Sequence, residues 1–140
     1  MNFMWISILI ISVIGTLLHF LYEISHHNKY VALFAAVNES TWEHIKIALT
    51  PTLLWSLYDG FVYGIESNYF IAKALSLVSI IIIMPTIFYS YTKLTKKSIL
   101  FIDISSFYLV IIIAQAIFYY IINLPALGFV YNYLSVILLF

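Results

Sequence analysis

From Asn2 to Tyr22 the chain runs without an aspartate, glutamate, lysine or arginine. That length of oil limits the fold more than any other feature. A helix needs about 20 mainly apolar residues, within a range of about 17–25, to cross a bilayer. Inside the bilayer every backbone polar group must also be satisfied within the structure, which a helix does alone. Asn2 to Tyr22, Ala74 to Tyr91, Ile104 to Ile122 and Leu124 to Phe140 all meet that requirement. What lies between them is too little to cover a soluble surface. Only 9% of the 140 residues are charged and 64% are hydrophobic, against about 25% and about 45–50% in soluble domains. The reading is an all-α fold: a single integral membrane domain over residues 1–140, built as a polytopic transmembrane helix bundle.

About five spans are expected, at about 2–22, 46–65, 70–92, 100–122 and 124–140. Residues 23–45 form a polar connection. Within it, 29–37 reads as a short interfacial or re-entrant helix that Asn28 caps and Asn38 ends. Pro51 should kink the second span, and Pro125 suits the first turn of the last. The N-terminus has no positive n-region and no small-residue cleavage site, so it reads as a retained span rather than a signal peptide. Phe140 closes an apolar run with no polar anchor after it, which leans towards a C-terminally truncated chain.

Lysines set the orientation. Lys93, Lys96 and Lys97 follow the third span, and Lys29 and Lys46 fall on the same side by alternation. Only Lys73 falls opposite. The cell membrane, with the N-terminus outside and the C-terminus cytoplasmic, is the expected location. There is no cysteine, so disulfides and thiolate chemistry are excluded. There is also no arginine to clamp a phosphate. Zero net charge without a basic stripe argues against nucleic acid as a partner. The bilayer is the expected partner, with a homo-oligomer or a membrane subunit as further options.

Polar chemistry gathers in one stretch. The four histidines of the chain and Glu23, Glu39 and Glu43 all fall between His19 and His44. Ser40-Thr41-Trp42-Glu43 matches a capping box, in which the Glu43 carboxylate reaches back to Ser40. Glu43 and Lys46 form an i,i+3 pair, and Trp42 suits the interface. That accounts for four residues without any function. It leaves His19 and Glu23 one turn apart on the first span, with Asn38, Glu39 and His44 on the other side of the connection. Histidine and carboxylate on facing helices are how bundles build zinc or di-iron sites. His19, Glu23, Glu39, Glu43 and His44 are therefore candidate ligands for a divalent metal, although neither HExxH nor the ExxH pair of di-iron bundles is present.

Glu43, His44 and His19 are the candidate catalytic groups. Tyr22, Glu23, Asn38, Glu39 and Asp59 are candidates for holding a polar substrate. For Asp59 the plainer reading is a bond to a tyrosine hydroxyl or to Lys73 near the outer interface. Gln115, near the middle of its span, reads as an interhelical hydrogen bond.

The stretch from His19 to Leu54 carries HFLYEIS and VNESTWEHIK. It resembles the N-terminal signature of a family of small, uncharacterised bacterial multi-pass membrane proteins, whose members continue into a short polar tail. The resemblance implies that His19, Tyr22, Glu23, Asn38, Glu39, Glu43 and His44 belong to one signature, and it supplies no activity. The expected function is a membrane-embedded His/Glu site at the cytoplasmic interface that binds a metal or a polar substrate. A small oligomeric transporter or channel, or an accessory membrane subunit, is the alternative.

Overall fold

A computed structural model describes residues 2–65 and 68–139. Five helices follow one another: α1 (Asn2–Ile24), α2 (Thr41–Tyr63), α3 (Tyr69–Thr95), α4 (Leu100–Ile122) and α5 (Phe129–Leu139). No strand occurs among the described residues. α3 and α4 form an antiparallel hairpin, α1 packs on α2 and α4, and α5 lies against α3. Among the described residues, three helices are long and apolar enough to cross a membrane: α1 from Phe3, α3 and α4. α2 is as long as α1, at 23 residues, but carries Glu43, Lys46 and Asp59.

The bundle has the polarity of a membrane protein. Its outer face is apolar, with Phe61 94% and Leu57 72% exposed, while Ser7, Thr52, Asp59, Lys73, Ser76 and Gln115 are buried. In water this arrangement would expose apolar side chains around the whole barrel of helices. In lipid it costs nothing on the outside and hides the polar groups inside.

Several boundaries differ from the sequence reading, each for a local reason. α2 begins at Thr41, five residues ahead of the expected span and where the capping pattern puts a helix start, because Ser40 caps it: its Oγ accepts from the Glu43 amide at 3.4 Å. Only that half of the capping box forms. The Ser40 amide instead donates to Asn38 Oδ1 at 3.0 Å, which frees the Glu43 carboxylate for other partners. The helix expected over 29–37 is a single 3-10 turn, Val31–Leu33, and Asn28 Oδ1 accepts from the Tyr30 amide at 2.9 Å. α5 starts at Phe129 rather than 124. Residues 123–128 form a loop held by buried Asn68, whose Nδ2 donates to Leu124 O at 2.8 Å and whose Oδ1 accepts from the Leu127 amide at 2.9 Å. Pro125 sits in that loop, outside any helical turn. The described part of α5 is about 17 Å long at about 1.5 Å per residue, shorter than a span. Phe140 lies outside the described residues.

α1 ends in a Schellman arrangement. The His27 amide donates to Tyr22 O and the His26 amide to Glu23 O, both at 3.0 Å, with His26 and His27 at φ 53° and 61°. The chain therefore turns sharply after Ile24 and starts back along the bundle.

Gly15 and Pro51 set the distance between α1 and α2. Proline has no N–H, so Pro51 deprives the Ile47 carbonyl of its helical donor. That carbonyl faces Gly15: a Cβ on Gly15 would lie 2.8 Å from Ile47 O and 2.6 Å from Phe107 Cζ. The helices approach closely because glycine leaves the space, a familiar device of membrane bundles. Gly15→Ala should therefore destabilise the fold by about 1–3 kcal/mol, the usual cost of overpacking. A thermal-shift or denaturant series in detergent reads this, and an unchanged midpoint would contradict the close packing.

Candidate metal centre

His19 lies on α1 one turn after Gly15, so the close approach of the helices carries it to the start of α2. His44 is in the first turns of α2, and the two imidazole rings are 5.6 Å apart. Glu39 precedes the cap residue. It lies outside the helix, and its carboxylate turns back towards both rings. Its Oε2 is 3.5 Å from His19 Nε2 and 3.7 Å from His44 Nε2. The three ligand atoms lie within 4.8 Å of one another. A tetrahedral zinc with bonds of about 2.0–2.1 Å needs ligand atoms about 3.3 Å apart. Two of the three separations are already close to that.

Second contacts orient the group. His44 Nδ1 lies 2.9 Å from the Ser40 carbonyl. A carbonyl only accepts, so Nδ1 carries the proton and the lone pair of the neutral ring is on Nε2, facing Glu39. Metal-binding histidines are fixed by this kind of outer bond. The Glu39 side chain is 71% exposed, while His19 and His44 are 27% and 17% exposed, so the group opens outward on the carboxylate side. Behind His44 is a void of about 10 Å³ against Met84, Phe88, Asp103 and Ser106. Those residues show that this end of the bundle is shared with the α3–α4 turn. There the Tyr91 hydroxyl donates to Asp103.

The loop before α2 is tied down by a different set of residues. Glu43 Oε2 accepts from the Val37 amide at 2.9 Å and pairs with Lys46 at 2.6 Å. Lys46 Nζ also donates to Ala32 O at 2.8 Å, and the Ala36 amide donates to Leu18 O at 3.2 Å. Ala35 and Ala36 are buried beneath the loop. Glu43 therefore stands outside the histidine group: its carboxylate is committed to the clasp, which holds the segment that delivers Glu39.

The remaining candidates are dispersed. Glu23 is exposed on the last turn of α1 and does not join the group. The Tyr22 ring packs edge-on against His27, with centroids 5.0 Å apart. Asn38 makes the Asx turn ahead of the cap. Asp59 is 15 residues beyond His44 on α2, about 22 Å along the axis. It is fully buried against Lys73, with Oδ2 2.6 Å from Nζ. Gln115 is completely buried, but neither of its amide atoms has a protein partner among the described residues, so the expected interhelical bond is absent.

Sequence reasoning missed the polar junction at Ser7. Trp55 Nε1 donates to Ser7 Oγ at 2.7 Å, and Ser7 Oγ donates to Phe3 O at 2.9 Å. With that hydrogen spent, the Tyr119 hydroxyl is the donor in its 3.0 Å contact with Ser7. It ties α1, α2 and α4 together. Only the small polar residue near the start of an apolar run hinted at it.

A family model of unknown function, DUF6512, matches residues 1–140. The chain belongs to the DUF6512 family. No curated protein and no solved structure matches it. Membership of DUF6512 supplies no activity, so chemistry has to be argued from the His19–Glu39–His44 geometry.

The Asp59–Lys73 pair is placed for a direct test. Removing one partner of a buried pair leaves an uncompensated charge, at a cost of about 3–5 kcal/mol. Asp59→Asn should unfold far more easily than wild type, and adding Lys73→Met should restore most of the loss. If the single variant is as stable as wild type, the pair is not buried as described.

Proposed function

We propose that this DUF6512 protein is a multi-pass membrane protein that binds one divalent transition metal, zinc by its donor set, through His19, Glu39 and His44. The observation that carries this reading is the convergence of two Nε2 atoms and one carboxylate oxygen from three separate segments, with 4.8 Å as the largest separation. Two imidazoles and a carboxylate are a common protein set for zinc that leaves a fourth position open. A zinc held by these three residues would supply a bound water acidic enough to act as a nucleophile near neutral pH. Hydrolytic or transfer chemistry on a polar substrate at the membrane surface is the reaction class this fits. Tyr22, Glu23 and Asn38 flank the site rather than enter it.

α1 to α4 cross the bilayer, and α5 returns along α3 as the last of five membrane helices. Lys29, Lys46, Lys93, Lys96 and Lys97 gather at the end that carries the metal site, which makes that end cytoplasmic. The one dissenting lysine drops out of the count, because Lys73 is buried in an ion pair and not in a loop. The N-terminus is then outside and the C-terminal helix points to the cytoplasm.

A transport path is less well supported. Between the histidine group and Asp59–Lys73 lie Ile11, Ile47, Ile80, Val110 and Ile111, each at most 1% exposed. A route along the bundle would have to cross that apolar cluster, whose buried neighbours Thr52 and Ser79 spend their hydroxyl hydrogens on their own helices, at Ala48 O and Ser76 O.

Elemental analysis of detergent-purified protein tests the proposal. Wild type should carry close to one zinc per chain after loading. His19→Ala, His44→Ala and Glu39→Gln should each abolish it. Glu43→Gln keeps the ligands but loosens their support, and should weaken affinity by about 10–100-fold, as outer-contact substitutions do. No metal in wild type, or full retention in the three ligand variants, would overturn the reading.

A further inference from the structure

At the opposite end of the bundle, α2 and α3 part to leave a cleft of about 830 Å³. Its walls are apolar, formed by Leu53, Leu57, Phe61, Ile65, Phe70 and Leu77, and Lys73, Ser56 and Tyr69 contribute its polar base. That volume is within the range of about 300–1,000 Å³ typical of ligand sites. Leu53, Leu57, Phe61 and Ile65 are 48%, 72%, 94% and 62% exposed, so in a bilayer the cleft opens sideways to lipid.

The base is specific in what it can accept. The Tyr69 hydroxyl has given its hydrogen to Ser56 O. Lys73 has three N–H bonds. One goes to Asp59, and the Phe118 ring covers another side, with Nζ 3.9 Å from its centroid. No acceptor on the described residues takes the third. The charge of Lys73 is already balanced by Asp59, so an anionic group placed beside it would leave a net buried charge. An uncharged acceptor fits both conditions. Depth narrows the choice. Lys73 lies four residues into α3 and Asp59 four residues before the end of α2, each about 6 Å along its helix. The 27 residues of α3 are about 40 Å long, close to the about 40–45 Å of a whole bilayer, whose hydrocarbon core of about 30 Å begins about 5–7 Å in; the ester carbonyls of glycerolipids lie at that boundary.

We infer that the α2–α3 cleft is a binding site for one acyl chain of a bilayer glycerolipid, with its ester carbonyl accepting a hydrogen bond from Lys73. This rests on the membrane placement of the helices and not on the metal site. The cleft holds the chain against Leu57, Phe61 and Phe70, and the Asp59–Lys73 pair recognises the carbonyl without taking up a net charge.

The test uses the full chain in phosphatidylcholine vesicles containing a small fraction of phosphatidylcholine with a photoactivatable group on its acyl chain. Adducts are mapped by mass spectrometry. They should concentrate several-fold on the cleft walls over Leu9 and Leu17, which are 63% and 61% exposed on α1. Leu57→Trp, which fills the cleft from its exposed rim, should reduce cleft adducts several-fold and leave those on α1 unchanged. The paired substitution Asp59→Leu with Lys73→Met keeps the site neutral, removes the donor without introducing another and should have the same effect. Should that variant not fold, the infrared carbonyl stretch of bound, isotope-labelled phosphatidylcholine replaces it, and a shift to lower frequency is expected. Equal labelling of α1 and the cleft, labelling indifferent to Leu57→Trp or to loss of the donor, an unshifted carbonyl band, or a cleft closed off by a second copy of the chain would each overturn the inference.

Discussion

The contact on which the rest depends is the close approach of α1 and α2 at Gly15. Pro51 strips one carbonyl of its helical partner, and Gly15 presents no side chain to meet it. Neither residue has any chemistry of its own. Together they set the distance at which His19 and His44 face one another, since His19 is one turn beyond Gly15 and His44 is less than one turn before Ile47. A bulkier residue at 15 would move α1 away from both α2 and Phe107. The metal group is in that sense a consequence of helix packing, as sites in helical bundles generally are.

Glu39 and Glu43 show how environment divides labour between two like residues. Both are glutamates at the start of one helix. Glu43 lies inside the helix, where Lys46 and the Val37 amide occupy its carboxylate, and its side chain is only 11% exposed. Glu39 precedes the cap, is free of helical constraint and reaches two imidazoles. The clasp built on Glu43 and Lys46 gives the loop few alternatives, and so keeps an exposed carboxylate near its partners without a covalent tie. At the far end of the bundle a second balanced pair, Asp59 and Lys73, does different work in a nearly dry setting. There a lone charge would be costly, and the pair is neutral as a whole.

Much of this was legible in the sequence. Charge-free runs marked α1, α3 and α4, and the start and end of α4 were read correctly, because period and length alone specify a membrane helix. Ser40 announced the start of α2 through its capping pattern, and the expected span begins five residues further on because the first turns of the helix are polar. Of the five candidate ligands the structure brings together His19, Glu39 and His44 and leaves Glu23 and Glu43 apart; the choice of Glu39 over Glu43 was not visible from i,i+4 spacing. The signal lay in the cap itself: once Ser40 caps the helix, Glu43 is committed inside it and Glu39 stands free. Asn68 and the Ser7 junction were not legible, because they join segments far apart in the chain. The late start of α5 has the same cause, since Asn68 holds the loop that an apolar run with a proline at its head assigns to a helix.

The central claim is that two imidazoles and one carboxylate from three segments meet on one metal. X-ray absorption at the zinc edge of the loaded, purified protein tests it most directly. Two imidazole nitrogens and a carboxylate oxygen at about 2.0–2.1 Å, with one further light atom, are the expected shell. A shell of oxygen atoms without imidazole scattering, or no zinc held at all, would contradict it.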